Sequence, residues 1–192
     1  KIGIPYPVFL AIRRVESGGS TSAVRFEPHL FLSTKYDWAR PDLASQVPYT
    51  KSGKGYSTVS SETNKSAFER AFALDPIAAI HSTSWGAFQV MGYHMPKCPS
   101  GIMPVVDGYK SNPQAFVDSF FGGQSKQISD MMVAAWFNGN SQAVSAANSL
   151  DFLKLATRYN GSRCCGAGSH NYDIKLKEAY EQALTCSGAT DE

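Results

Sequence analysis

Two dipeptides, Asp75-Pro76 and Asn112-Pro113, each stand immediately before an apolar run, and they constrain the fold more than any other feature of the chain. An Asp or Asn side chain accepts hydrogen bonds from the free N–H groups of a first helical turn, and proline at the first helical position has no N–H to leave unpaired. The frame is therefore helical and made of short pieces. From Pro5 to Ser17 the residues Val8, Ala11, Ile12 and Val15 fall at helical spacing, and Gly18-Gly19 ends the run. Ser66 with Glu69 fits a capping box, and Ser125 precedes a run through Ile128, Met131, Met132, Ala135 and Trp136 that stops at Asn138-Gly139. Asp151 caps Phe152 to Tyr159, and Asn171 caps a last helix with Leu176, Tyr180, Ala183 and Leu184 on one stripe. Between Arg25 and Ser60 helical periodicity is lost, and Thr50 to Asn64 reads as an exposed loop with a hairpin beside it. The fold class is thus mostly α (α+β), with a small β or loop-rich insert after the first helix. With 43% hydrophobic and 18% charged residues over 192 positions, residues 1–192 can bury a core as one domain.

The 18 Lys and Arg nearly balance 16 Asp and Glu, so the basic excess of a nucleic-acid binder is missing, while the net charge of +2 suits an anionic partner. No window approaches 18 consecutive apolar residues, so no membrane span is expected, and no signal peptide is visible. The start at Lys1 is that of a mature or excised chain, with room for fused domains in a longer protein. Cys98, Cys164, Cys165 and Cys186 show no C-x-x-C spacing. Adjacent cysteines bridge each other only with strain, so oxidation is expected to tie Cys164 or Cys165 to Cys98 or Cys186. A zinc site from Cys164, Cys165 and His170 is the alternative, although its spacing matches no structural zinc pattern. Neither a metal nor a cofactor is expected.

Three strings can carry chemistry. Glu16 falls on the last turn of the first helix, the unfavourable end of the macrodipole for an anion, where the acid form is favoured. Desolvation by an apolar wall would keep such an acid protonated near neutral pH. The same position also suits a surface carboxylate without a role. The second string runs from Ser82 to Gly92, where Gly86 and Gly92 bracket a short extended segment of alternating residues that can offer backbone groups and the Gln89 amide to a ligand; Trp85 suits the core equally. The third, Arg158-Tyr159-Asn160-Gly161, is a helix end followed by a turn.

Together these strings resemble the N-acetylmuramidase family of phage endolysins and bacterial cell-wall lysins, within the lysozyme-like superfamily of goose-type lysozymes and soluble lytic transglycosylases. The resemblance rests on Val15-Glu16-Ser17, Phe26-Glu27-Pro28-His29, Ser84 to Gly92, Tyr159-Asn160-Gly161 and Tyr172-Asp173, and it spans almost the whole chain. The Ser-Trp-Gly string is the most specific. Departures are Pro28, where the family more often has a basic residue, the Thr50 to Asn64 loop, and Cys164-Cys165 inserted before the last helix.

The resemblance implies a lysozyme-like fold, with a helical lobe and a small β or loop-rich lobe flanking a cleft for a peptidoglycan glycan strand. Glu16 would be the general acid at the β-1,4 bond after N-acetylmuramic acid, and Glu27 the nucleophile or the base that activates water. Pairing with Arg25 is the other use open to Glu27. Carboxyl groups about 6.5 to 9.5 Å apart would give inversion and about 5 Å retention. Ser84, Gln89 and Met91 would line subsites, and Tyr159 with Asn160 would sit beside Glu16; His29 and His81 are secondary candidates. The expected protein is a monomer acting in the bacterial cell wall or periplasm, secreted or delivered by a phage or toxin system. A lytic transglycosylase, which needs no second carboxylate, is the nearest rival, followed by a non-catalytic glycan-binding module; a chitinase ranks below both wall-lytic enzymes. No phosphate-cradling loop, nucleophile elbow or paired helical His ligands occur, which removes nucleotide, serine-hydrolase and zinc-protease readings.

Overall fold

Pro5, at φ −60° and ψ 135°, launches α1 (Tyr6–Ser17), whose Val8, Ala11 and Ile12 form the buried stripe. The helix stops where Gly18 turns left-handed at φ 63°, and the amides of Gly18 and Gly19 return to the carbonyls of Arg14 and Arg13 at 2.9 and 3.3 Å. A side chain at that φ would be strained, so the glycine sets where Glu16 comes to rest relative to the helix end. The computed structural model describes residues 3–47, 49–52, 55–58, 63–98, 100–101, 103–162, 164–165 and 171–187.

After α1 come β1 (Val24–Phe26), the one-turn α2 (Pro28–Phe31) and an antiparallel hairpin of β2 (Tyr49–Ser52) with β3 (Gly55–Thr58). The chain then enters α3 (Asn64–Leu74) and α4 (Pro76–His81) and returns through β4 (Thr83–Trp85) and β5 (Val90–Met91). These last two join β1 in a three-stranded antiparallel sheet, ordered β1-β4-β5, with Arg25 opposite Ser84 and Trp85 opposite both Val24 and Val90. The remainder is helical: α5 (Pro104–Asp107), α6 (Pro113–Ser119), α7 (Ser125–Asn138), α8 (Ser141–Asn148), α9 (Phe152–Asn160) and α10 (Tyr172–Ser187). The architecture is mostly α with a small three-stranded sheet and a two-stranded hairpin, as the capping pattern requires.

Asp75, Asn112 and Asp151 cap α4, α6 and α9 by accepting from the amides of Ala78, Ala115 and Lys154 at 3.0 to 3.1 Å. Two helix starts differ from expectation. The capping box of α3 is Thr63 with Ser66 rather than Ser66 with Glu69, because the helix begins three residues earlier and Glu69 reaches Lys65 instead. Ser125 opens α7 without capping it and donates to the Thr21 hydroxyl at 3.3 Å. Asn171 stands at φ 48° before α10. Asn140, an Asn-cap signal passed over in the sequence, starts α8 by accepting from Ala143 N. The apolar stripe of α10 also shifts, running through the buried Tyr172, Leu176 and Ala179, with Leu184 at 45% exposure.

Trp85 organises the core. It is fully buried, takes edge contacts from Phe68, Phe116 and Phe120 at 4.9 to 5.2 Å between centroids, and donates its indole N–H to the Ile80 carbonyl at 3.1 Å. Such edge-to-face packing is the favoured aromatic geometry. Gly92 lets the returning strand approach: a Cβ there would fall 1.9 Å from the Ile80 carbonyl oxygen. At Gly86 a Cβ would fall 2.4 Å from Ser129 Cβ on α7. The Ser84 to Gly92 segment is therefore a buried hairpin, not an alternating strand with one face open.

The cysteines correct an expectation outright. Cys164 and Cys165 are bridged to each other, their Cα atoms 3.8 Å apart as for any trans-linked neighbours, and Cys98 remains a thiol whose pKa burial pushes up to about 11. The bridge also takes both thiolates from the alternative zinc set, whose His170 lies outside the described residues, as does the side chain of Cys186. Among the described residues no helix is long and apolar enough to cross a membrane.

Candidate active site

The C-terminal end of α1 meets the N-terminal end of α10 and the β4–β5 turn, and Glu16 lies at that junction. Tyr172 donates its hydroxyl to Glu16 Oε1, and Asn160 Nδ2 reaches the same oxygen at 3.5 Å. Both bonds fall on Oε1, so Oε2 has no hydrogen-bond partner among the described residues. Ser17, the next residue, donates to the Ala87 carbonyl at 2.9 Å and ties the helix end to the turn. Burial raises the Glu16 pKa from 4.5 to about 7, outweighing the opposing pull of the Tyr172 bond, the Arg25 charge and Asn160. Desolvation penalises the carboxylate, whereas a donor to the carboxylate favours it. Tyr172→Phe should therefore raise the Glu16 pKa above about 7, measurable from the side-chain carboxyl ¹³C shift as a function of pH; an unchanged or lower value would contradict this balance.

Glu27 stands at the start of α2, its amide bonded to the Ser82 carbonyl at 2.9 Å. Its carboxylate, 16% exposed, pairs with Arg25 Nε at 3.0 Å and lies 3.4 Å from His29 Nδ1. Burial raises the Glu27 pKa, and the Arg25 charge opposes that rise. Burial and Arg25 together hold the His29 pKa below its usual value, so at neutral pH it meets Glu27 as a neutral ring. Arg25 thus acts electrostatically on both carboxylates, from the middle of β1.

The other expected site residues divide. Tyr159 is next to the acid, but its hydroxyl donates to the Phe88 carbonyl at 2.7 Å while its ring packs on Trp136 at 4.6 Å. Burial and the nearby Glu16 charge keep that phenol protonated. Ser84 and Gln89 are spent on each other and on the backbone: Ser84 Oγ donates to Gln89 Oε1 at 2.8 Å, and Gln89 Nε2 donates to Gly86 and Ala23 carbonyls at 2.9 and 3.3 Å. They brace the turn, where Gln89 sits at φ 49°. Met91 is half-buried opposite Ser84. His81 bonds to Tyr109, not to any of this group. Tyr172 was missed as a site residue although its Tyr-Asp string was noted, since nothing in the spacing shows its hydroxyl meeting a residue 156 positions away. Among the described residues no three His, Cys, Asp or Glu side chains are grouped to hold a metal.

A crystal structure of Burkholderia AP3 phage endolysin shares the fold, with a TM-score of 0.63 at 23% identity, covering 97% of this chain and 67% of the endolysin. No curated protein matches the chain. The N-acetylmuramidase family model matches residues 5–184, from the proline that launches α1 into the last helix. The chain belongs to the N-acetylmuramidase family, glycoside hydrolases that cleave bacterial peptidoglycan.

Proposed function

We propose that Glu16 is the general acid of a muramidase that cleaves the β-1,4 bond between N-acetylmuramic acid and N-acetylglucosamine. The observation that carries this is a carboxyl held near pKa 7 by burial, with one oxygen fixed by Tyr172 and the other without a hydrogen-bond partner among the described residues. Such an acid is protonated in a useful fraction at neutral pH and becomes a good base once its proton is given. Oε2 would deliver the proton to the leaving glycosidic oxygen. Glu27 is the second carboxylate: its pKa too is raised by burial, and the ion pair with Arg25 at 3.0 Å opposes that rise and supports an ionised form that can attack the sugar or activate water. Burial raises both carboxyls, and the direct ion pair with Arg25 is what distinguishes Glu27 from Glu16. The same reading takes residues 1–192 as one catalytic domain, supported by a single core cluster that draws on both termini of the described chain.

One observation favours a second reading. Both oxygens of Glu27 face basic side chains, Arg25 and His29, as they would if the residue only braced the β1–α2 corner. Glu16 would then act alone, first as acid and then as base, while the muramic 6-hydroxyl closes an anhydro ring. Mass spectrometry of fragments released from purified sacculi separates the two. Reducing N-acetylmuramic ends, and a loss of about 10²-fold or more in rate on Glu27→Gln, are expected. Anhydro-muramic ends with an active Glu27→Gln enzyme would establish the transglycosylase instead.

A further inference from the structure

A cavity of about 470 Å³ opens between the segment after α2, the end of α4 and the turn after β5, lined among others by Asp37, Trp38, Ile77, His81, Tyr93 and Lys110. None of the Glu16 group contributes to it. The volume lies within the range of about 300–1,000 Å³ typical of small-molecule sites. Trp38 and Tyr93, both in the lining, lie nearly parallel, 19° apart in plane and 6.3 Å between centroids. Tyr36, which does not line the cavity, stacks on Trp38 at 4.8 Å and on Tyr93 at 6.0 Å, bracing both rings. The edge contact of Trp38 with His81 at 5.1 Å fixes it from another direction.

His81 gives the cavity a polar group that the fold leaves incomplete. The residue is only 5% exposed; its Nε2 is bonded to the Tyr109 hydroxyl at 2.7 Å, while its Nδ1 is buried without a partner among the described residues. A buried polar atom left unpaired costs stability. Asp37 and Lys110, both exposed, supply one acceptor and one cation at the rim.

We propose that this cavity is a second glycan-binding site, which holds an N-acetylhexosamine unit of a peptidoglycan strand away from Glu16. The proposal rests on the reading of peptidoglycan as substrate. A pyranose ring has an apolar C–H face, slightly positive at its hydrogens, that matches the negative face of an aromatic ring. Its hydroxyl and acetamido groups can meet Asp37 and the rim, and Lys110 can donate to the lactyl amide carbonyl of a muramic unit. A free stem peptide offers no such face for the Trp38 and Tyr93 pair.

The test measures retention on purified insoluble sacculi in the Glu16→Gln background, so that chemistry does not erode the ligand, with wild-type cleavage of the same sacculi as a parallel readout. Trp38→Ala should weaken retention about tenfold. Because Trp38 also packs on the core, the paired surface change Asp37→Ala with Lys110→Ala, expected to weaken retention about threefold, decides the matter if Trp38→Ala does not fold. The N-acetylglucosaminyl-N-acetylmuramic disaccharide should compete for the Trp38-dependent part, and the free stem peptide should not. Unchanged retention in the paired variant and in a folded Trp38→Ala would overturn the site, as would competition by the peptide alone. Wild-type cleavage without any retention of the Glu16→Gln protein would overturn it while leaving the peptidoglycan reading in place; absence of cleavage with Trp38-dependent retention would do the reverse.

Discussion

Glu16→Gln should lower kcat on peptidoglycan by about 10²- to 10⁴-fold, the usual contribution of a positioned general acid, while the protein stays folded. Glutamine keeps the shape and can still accept from Tyr172, so the loss would report the proton and not the packing. The same substitution makes a second, independent forecast for stability. In the folded state the Glu16 pKa is about 7, against 4.5 as its reference value. Between those values the native protein holds more proton than the unfolded chain, so this group's contribution is full below about pH 4.5 and is lost as pH rises through about 7. The Gln variant has no such loss. Its Tm relative to wild type should climb from pH 5 to pH 8, which paired thermal melts would show. An enzyme that stays fully active, or a Tm difference flat across that range, would contradict the site described above.

Trp85→Ala should cost about 3–5 kcal/mol, the range for removing a large buried aromatic, with a fall in Tm on the order of 10 °C. The reason is more than volume. The substitution empties the space shared by Phe68, Phe116 and Phe120, and it strips the Ile80 carbonyl of its indole donor. Trp85→Phe should cost less, because it fills much of the space and forfeits chiefly the hydrogen bond. Denaturant melts of the two variants measure the difference, and a Trp85→Ala protein as stable as wild type would show that the hairpin does not depend on this ring.

The helical frame was legible because its signals are local. A proline at the first helical position or an Asp at a cap acts on amides three residues away, and α4, α6 and α9 begin where those residues say. Glu16 was legible for the same reason, since Gly18 and Gly19 mark the helix end beside it. What escaped depends on distant partners. The neighbours of a serine do not reveal that Ser84 will saturate Gln89, nor that Gly86 is needed for the approach of Ser129 from α7. The Ser-Trp-Gly string pointed to the site, yet most of its residues build the wall and few of them face outward. The vicinal bridge was set aside on general grounds of strain, and those grounds did not govern here.

The bond from Tyr172 to Glu16 joins the first helix of the chain to the last. Without α10 along α1, the carboxyl of Glu16 has neither its hydroxyl partner nor the part of its cover from water that this helix supplies. The group proposed as the acid therefore draws its surroundings from both ends of the described chain, and a change in how α10 packs on α1 is felt at Glu16.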